Sequence, residues 1–549
     1  MRKVLLYICS VFILGGMTSC EDFLDKREDV GLTEDDIFRD YYSLRGFLDQ
    51  SFNQLENVMV MDNWENGRAF VGLFADEMAT TDNSSAVFTL HSGNWLSNAK
   101  SNKTFEIGNA GSTAISRSYK ALRINNRIIN DIDKAPLTPE QKNEILGQAY
   151  FYRSWFYFQV IKRYGGMPII DKVFEGGDDD IPRMTYHESH DWMMEDIQKA
   201  IYMLPDSWDD PNYGRPTKIV AMALKEWAQL FDASPLMQND LNSTENKGYD
   251  TERAKSAAKS AYEVIRYMDG SKSAPYPYGL ASKEEYTNVF YFKYPPVHQP
   301  EYIWVKRQFP NAANQNQKRT IRTFWQYEDL AFGSGPDGNS MCCPSLNIVN
   351  MFDKKGADGI YYPIDDPRSG YALDYDHKPF EDRDPRFYNN ILLPGTTWGH
   401  YADGRTYYIT TYKGGAAYQH MLTQKDCNKR MFTGFMCKKF MWPECNQYLE
   451  KNNPNCWWDY RFLTIYIRAS QIYLDYAEAL FEGCGSATAT IEGCPISAAE
   501  AINILRRRIG LTDLPSDIVA DPDKFRAAYR RERAVELMFE NHRWWDIRR

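Results

Sequence analysis

The sequence predicts a mostly α-helical protein, a scaffold of paired helices interrupted by long irregular insertions, and three observations predict it. Apolar residues recur at three- and four-residue spacing over eight stretches of the chain, the period of helices with a buried face. Gly, Pro and Asn punctuate those stretches, while strand-like runs are short and scattered. Between Met268 and Thr464 the periodicity gives way to Gly, Pro, Asn, Asp and aromatic residues. Irregular segments on a rigid scaffold are where binding usually resides.

In chain order, Arg2 and Lys3 precede an apolar stretch of 14 residues, Val4 to Met17, followed by Thr18, Ser19 and Cys20. A bilayer-crossing helix needs roughly 17 to 25 residues, so this stretch reads as a cleaved secretory signal, residues 1–19. A cysteine directly after small residues matches a lipoprotein signal, with Cys20 as the acylated first residue of the mature chain. Met17 stands where such signals usually carry a branched residue. The alternative is an ordinary signal with Cys20 a spare thiol. No later apolar run is long enough to span a membrane, and several acyl chains on one residue hold a protein firmly to a bilayer surface.

Residues 20–549 read as one domain. In its N-terminal helical half, 20–240, Tyr119, Leu122, Asn126 and Ile129 mark a helix over 112–135, and Pro136 and Pro139 open the next, Glu140 to Tyr164, which Gly165-Gly166 ends. The centre of that second helix, Phe151 to Phe158, is aromatic nearly all round and must be buried on most sides. Further helices are expected over 187–204, 217–237 and 251–268, then, beyond the loop-rich region 241–463, over 464–481, 498–508 and 522–541 in the C-terminal part, 464–549. Paired helices of this length suggest a tetratricopeptide-like stack, although no repeat signature is legible.

Composition narrows the function. With 43% apolar and 25% charged residues the chain is an ordinary globular one. Loss of Arg2 and Lys3 takes the net charge from −10 to −12, which argues against nucleic acid or an anionic lipid surface as partner. Eight of the ten cysteines lie beyond Cys20 and none forms a C-x-x-C pair, so no zinc site is expected. Cys484 and Cys494 flank a Gly, Ser and Thr loop; a disulfide closing it and free buried thiols both remain open. No P-loop, Rossmann fingerprint, G-x-S-x-G or H-E-x-x-H occurs. His187 and His190 are expected at a helix start, and Asp178-Asp179-Asp180 in a solvated turn rather than a calcium loop. Neither a metal nor a cofactor is expected.

Several segments together resemble the SusD/RagB family of nutrient-binding outer-membrane lipoproteins. They are CEDFLD from Cys20, LFADEMATTDN from Leu73, YKALRINNRIIN from Tyr119, GQAYFYRSWFYFQVIKRYGGMPII from Gly147, PSLNIVNMF from Pro344, DRDPRFYNNI from Asp382, IYIRASQIYLDYAEAL from Ile465 and RRERAVELMFENHRWWDIRR from Arg530. Their order and spacing carry the resemblance over nearly the whole chain. It implies a tetratricopeptide-like helical core whose insertions carry the ligand face. It also implies an outward-facing, lipid-anchored protein of the outer membrane that binds an oligosaccharide, or in some members a peptide, and caps a TonB-dependent SusC-like transporter as a hinged lid, without catalysis. Members continue for some tens of residues past Trp544-Trp545-Asp546-Ile547-Arg548-Arg549, so the C-terminal part is expected to be incomplete.

Candidate site residues follow from the aromatics: 14 Trp, 37 Tyr and 29 Phe exceed what most cores of this size use. A flat ring takes the C–H face of a sugar while hydroxyl edges meet Asn, Asp, Arg and Gln. Trp95 stands beside Asn94 with Ser97 and Asn98 close by, and Trp325 follows a polar run from Asn311 to Arg322. By similarity, ligand aromatics of the family come from the segment after the Asp-Glu motif and from the one before Pro-Ser, which are these two regions. Trp64, Arg68 and Tyr327 are further candidates, and for each tryptophan plain packing remains the competing reading.

The charged motifs read as structural. Asp76-Glu77 are adjacent and cannot face each other across a scissile bond. Val535, Met538, Phe539 and His542 form an apolar stripe on an expected last helix, with Arg533 and Glu536 spaced for a pair. Glu532, Glu536 and Glu540 are the carboxylates there that a rival reading, a helical glycoside hydrolase, would use, but charges on a helix are usually solvated or paired. A protein-interaction scaffold is the third reading.

Overall fold

A computed structural model describes residues 33–55, 74–79, 114–174, 180–239, 245, 247–274, 276–291, 298–307, 343–374, 376–400, 406–415, 418, 433–440 and 463–549. Thr33 caps α1 (Glu34–Ile37), and Asp40 caps α2 (Tyr41–Gln54) by accepting from the Ser43 amide. A two-residue strand, β1 (Met78–Ala79), precedes α3 (Ala114–Asp131) and the 26-residue α4 (Pro139–Tyr164). Thr138 and Gln141 form a reciprocal cap at the start of α4, with Pro139 as its first residue. All residues from Phe151 to Phe158 are buried, each large ring contributing about 1.5–3 kcal/mol through burial.

Gly165, at φ +78°, turns the chain out of α4. Gly166 then passes so close to the next segment that a Cβ there would lie 2.1 Å from the Met184 carbonyl oxygen. The scaffold continues through α5 (Tyr186–Met203), α6 (Lys218–Ala233) and α7 (Thr251–Gly270). Each helix from α2 to α7 packs on the next. Arg153, buried in α4, donates to Asp196 of α5 (2.5 and 2.8 Å) and to Asn126 of α3 (3.0 Å), tying three consecutive helices.

After α7 the chain forms β2 (Tyr302–Arg307), β3 (Cys343–Pro344), α8 (Leu346–Met351), β4 (Lys354–Lys355), β5 (Tyr361–Tyr362), α9 (Pro385–Asn390), β6 (Ile391–Leu392), β7 (Thr397–His400), β8 (Thr406–Tyr408), β9 (Met436–Cys437) and β10 (Leu463–Arg468). The described sheets are antiparallel pairs: β1 with β3, β2 with β10, β4 with β5, β6 with β9, β7 with β8. The chain closes with α10 (Ala469–Cys484), α11 (Ala498–Ile509), α12 (Ser516–Ala520), α13 (Pro522–Glu536) and α14 (Arg543–Asp546). Helix α10 packs on α7 and α11 on α10. The helix row thus resumes where α7 left it, with the irregular region inserted between. Among the described residues no helix is long and apolar enough to cross a membrane.

Two expectations change. The stretch 464–481 is not one helix: Leu463 to Arg468 is a wholly buried strand, because Leu463-Thr464-Ile465-Tyr466-Ile467 is β-branched and aromatic and finds β2 as partner. The expected last helix stops at Glu536, and Phe539 and Asn541 take left-handed backbone at φ +64° and +68°. Val535, Met538, Phe539 and His542 are nonetheless all buried. Cys484 and Cys494 are both free thiols.

Candidate functional site

The candidate ligand residues Trp64, Arg68, Asn94, Trp95, Trp325 and Tyr327, and the anchor Cys20, lie outside the described residues. The structure instead fixes the points from which their segments depart. Ala79, after which the 80–113 segment with Asn94 and Trp95 begins, is the register partner of Cys343, before which the 308–342 segment with Trp325 and Tyr327 ends. Two residues more than 200 positions apart in sequence, Ala79 and Cys343, therefore give the two segments one root. Ser345 secures it, its amide donating to the Glu77 carbonyl at 3.0 Å and its hydroxyl to that of Asp76.

The third segment, 56–73 with Trp64 and Arg68, departs from Leu55. The Lys306 ammonium donates to the carbonyls of Leu55 (3.0 Å) and Phe52 (3.2 Å) and sits 5.1 Å from the Phe52 ring. Burial, helped by the charge of Arg117, lowers the Lys306 pKa to about 8. Lys306 lies two positions before the 308–342 segment, so that segment starts beside the departure of 56–73 and ends beside that of 80–113. The described residues at or next to the ends of the three candidate segments thus include Leu55, Ala79, Lys306 and Cys343, with Leu55 tied to Lys306 and Ala79 paired with Cys343.

The Asp76-Glu77 motif holds this root in place. Asp76 accepts from Arg543 Nε (2.7 Å) and Nη2 (2.8 Å), and the guanidinium lowers its pKa. Glu77 turns the other way, buried, with Oε2 accepting from the Phe539 amide at 3.1 Å. Burial pushes its carboxyl up to about 8 against that hydrogen bond. The left-handed Phe539 is therefore the partner the fold provides for Glu77, and the two carboxyls serve two anchors rather than one reaction.

The carboxylates of the C-terminal part are likewise engaged. Arg386 reaches Asp384 (2.7 Å), Glu532 and Glu536 (2.9 Å). Arg468 reaches Glu536 (2.9 Å), Glu540 (2.6 Å) and Glu301. Arg508 reaches Glu536 at 2.6 Å and Lys439 reaches Glu540 at 2.6 Å. Burial opposes ionisation of Glu536, but Arg508, Arg468 and Arg386 overcome it and hold the carboxyl well below the usual range. Glu540 is lowered likewise, against burial, by Arg468 and Lys439. A glycosidase acid needs a raised pKa, and neither of these two has one. The expected pair of Arg533 with Glu536 does not form: Glu536 is turned to three other guanidinium groups, and Arg533 takes Asp475 and Asp546 (2.8 Å). Sequence reading missed Arg386, Arg468 and Arg508 because their partners lie far along the chain.

His187 and His190 stand at the start of α5, as expected. His187 Nδ1 lies 2.7 Å from Asp232 Oδ1, and His190 Nδ1 lies 3.0 Å from Asp191 and 3.3 Å from Asp232. Arg253 of α7 already neutralises Asp232, so the cluster ties α5, α6 and α7 together.

Comparison with known proteins gives the same architecture. The profile described as "SusD family" matches residues 300–549, and one described as "Starch-binding associating with outer membrane" matches 22–226. No functionally curated protein matches the sequence. Among solved structures, a SusD-like protein from Bacteroides fragilis superposes with a TM-score of 0.69 at 22% identity, covering 94% of this chain and 87% of its own. A SusD-like carbohydrate binding protein from the same species gives 0.65 at 20%, covering 93% and 86%. A laminarin binding SusD-like protein gives 0.60 at 18%, covering 92% and 91%.

Proposed function

Starting from the premise that this chain belongs to the SusD/RagB family, whose two profiles together span most of it, we propose that it captures an oligosaccharide at the outer membrane and delivers it to a TonB-dependent SusC-like transporter. The observation that carries this reading is the shared root of the candidate segments, Ala79 beside Cys343, with Leu55 held by Lys306. A sugar chain is recognised by rings from one side and by hydroxyl partners from others, so its site draws on several segments at once. A family profile named for starch binding and a laminarin-binding structural neighbour support a glycan as ligand. The Cys20 signal and the profile's reference to the outer membrane support a lipid-anchored location.

Calorimetry on the purified protein with starch, laminarin and peptides tests the reading, with chromatography of the ligand afterwards. Binding without bond cleavage is the expected outcome; cleavage would turn the protein into a hydrolase, and peptide binding alone would change the ligand class. Trp325→Ala is expected to cost about 2 kcal/mol, some thirtyfold in affinity, with an unchanged melting temperature. Equal affinity, or a large fall in melting temperature, would move Trp325 from the site to the core.

A further inference from the structure

An aromatic cleft of about 120 Å³ lies between the α5–α6 loop and the chain leading into β2. Nothing above makes use of it. Its floor is Trp304, near the start of β2, whereas the segment roots lie at the other end of that strand and beyond. At about 3.3 Å per residue along the strand, Trp304 and Lys306 are roughly 7 Å apart.

Three rings are fixed together at its mouth. Tyr276 stacks on His298 with centroids 3.7 Å apart and planes 22° apart, and Tyr213 meets His298 edge-on at 4.5 Å. One face of Tyr276 is thereby used, yet the residue is still 41% exposed. The two indoles of the cleft have spent their polar atoms: Trp208 Nε1 donates to the Pro216 carbonyl (2.8 Å) and Trp304 Nε1 to that of Gly214 (3.1 Å). Half-buried Trp208 turns carbon to the cleft, while Trp304 is buried against Phe151, Trp155 and Tyr466 and closes its base.

The rim has the opposite character. Asp209 and Asp210 are exposed, and Ser207 and Gln299 line the edge. The one guanidinium of the lining, Arg215, is taken by Asp49 (2.7 Å) and Gln148 (3.1 Å). Carbon surface beneath and oxygen acceptors around suit a neutral polyhydroxylated ring, whose C–H face stacks and whose hydroxyls donate. An acidic sugar would meet the carboxylates of Asp209 and Asp210. The volume is well below the roughly 300–1,000 Å³ of sites that engulf larger ligands, so the cleft takes one ring of a chain.

We infer that this cleft, built on Tyr276 and Trp208, is a second contact for a neutral polysaccharide, gripping one sugar unit of a chain held mainly elsewhere on the protein. The inference rests on the glycan-capture reading and deepens it to neutral, extended glycans. Two contacts on one chain raise the apparent affinity for polymers and leave that for short oligosaccharides unchanged.

The test is calorimetry of wild type, Tyr276→Ala and Tyr276→Phe with soluble starch, laminarin and the corresponding trisaccharides. Tyr276→Ala is expected to lose about tenfold in affinity for the polymer that wild type binds, with trisaccharide affinity and melting temperature unchanged. Tyr276→Phe keeps the stack and should match wild type. Ser207→Trp, which fills the cleft without removing its platform, should reproduce the loss should Tyr276→Ala prove unstable. Equal polymer affinity in Tyr276→Ala and Ser207→Trp overturns the second contact and leaves glycan capture standing. No binding by wild type to any of these glycans overturns both.

Discussion

Glu77 shows how one residue here trades ionisation for position. Its carboxyl is 1% exposed, accepts one backbone hydrogen bond and lacks the guanidinium that Asp76 has in Arg543. Burial therefore dominates and raises its pKa from 4.5 to about 8. A folded-state value above the unfolded one means that the protonated form favours the fold. Its contribution is complete below about pH 4.5 and is lost as pH rises through about 8. Glutamine mimics the protonated acid and can still accept from Phe539. Glu77→Gln is thus expected to be at least as stable as wild type at pH 8 and to lose less stability between pH 4.5 and 8, read as melting temperature against pH. A variant uniformly less stable, with the wild-type slope, would show that the ionised form is the one the fold requires. Asp546 works in the opposite sense. Burial alone would raise its pKa, but Arg533 and Arg549 bring it to about 2, so its contribution is present above about pH 4 and lost as pH falls towards 2.

Among the elements, α4 was the most legible in sequence and β10 the least. The start of α4 is written locally in Thr138-Pro139 and Gln141, its buried circumference in Phe151 to Phe158 and its end in Gly165-Gly166, all signals that act within a few residues. The sequence of β10, in contrast, runs without punctuation into α10, and only its partner β2, more than 150 residues earlier, makes it a strand. Separation along the chain likewise hid the guanidinium network around Glu536 and the meeting of Ala79 with Cys343. Gly166 tests the legible end. A Cβ there would meet the Met184 carbonyl oxygen at 2.1 Å and Thr185 backbone carbon at 2.3 Å, atoms that cannot move without shifting the cap of α5. Gly166→Ala is expected to cost about 1–3 kcal/mol, seen as a lower urea midpoint, while an Ala at the unobstructed Gly46 should not destabilise. A wild-type midpoint for Gly166→Ala would mean that the two segments are not in contact.

At the scale of the whole molecule, the proposed location and partnership can each be tested. Among the described residues no helix is long and apolar enough to cross a membrane, and every sheet is a two-stranded pair, so none of them closes into a pore. The proposed anchor is Cys20, and Cys20→Ala is expected to move the protein from the membrane fraction to the soluble one. A variant that still pellets after a high-salt wash would remove the acyl anchor from the account. Anchored capture concentrates a glycan at the surface without moving it across, and the sequence holds no P-loop with which to drive transport. In the proposed delivery a separate channel accepts the ligand, and a binding protein that serves as its lid has to meet two demands together. It must bury on the order of 1,000 Å² or more against the rim to stay attached, and it must still hinge for the ligand to pass. A row of helices packed each on the next suits both demands, since such a body can swing as a unit. Affinity purification after mild detergent extraction is therefore expected to recover a large β-barrel protein in near-equal amount. The lipoprotein recovered alone, under conditions that keep other outer-membrane complexes intact, would mean that capture and transport are not coupled through this chain.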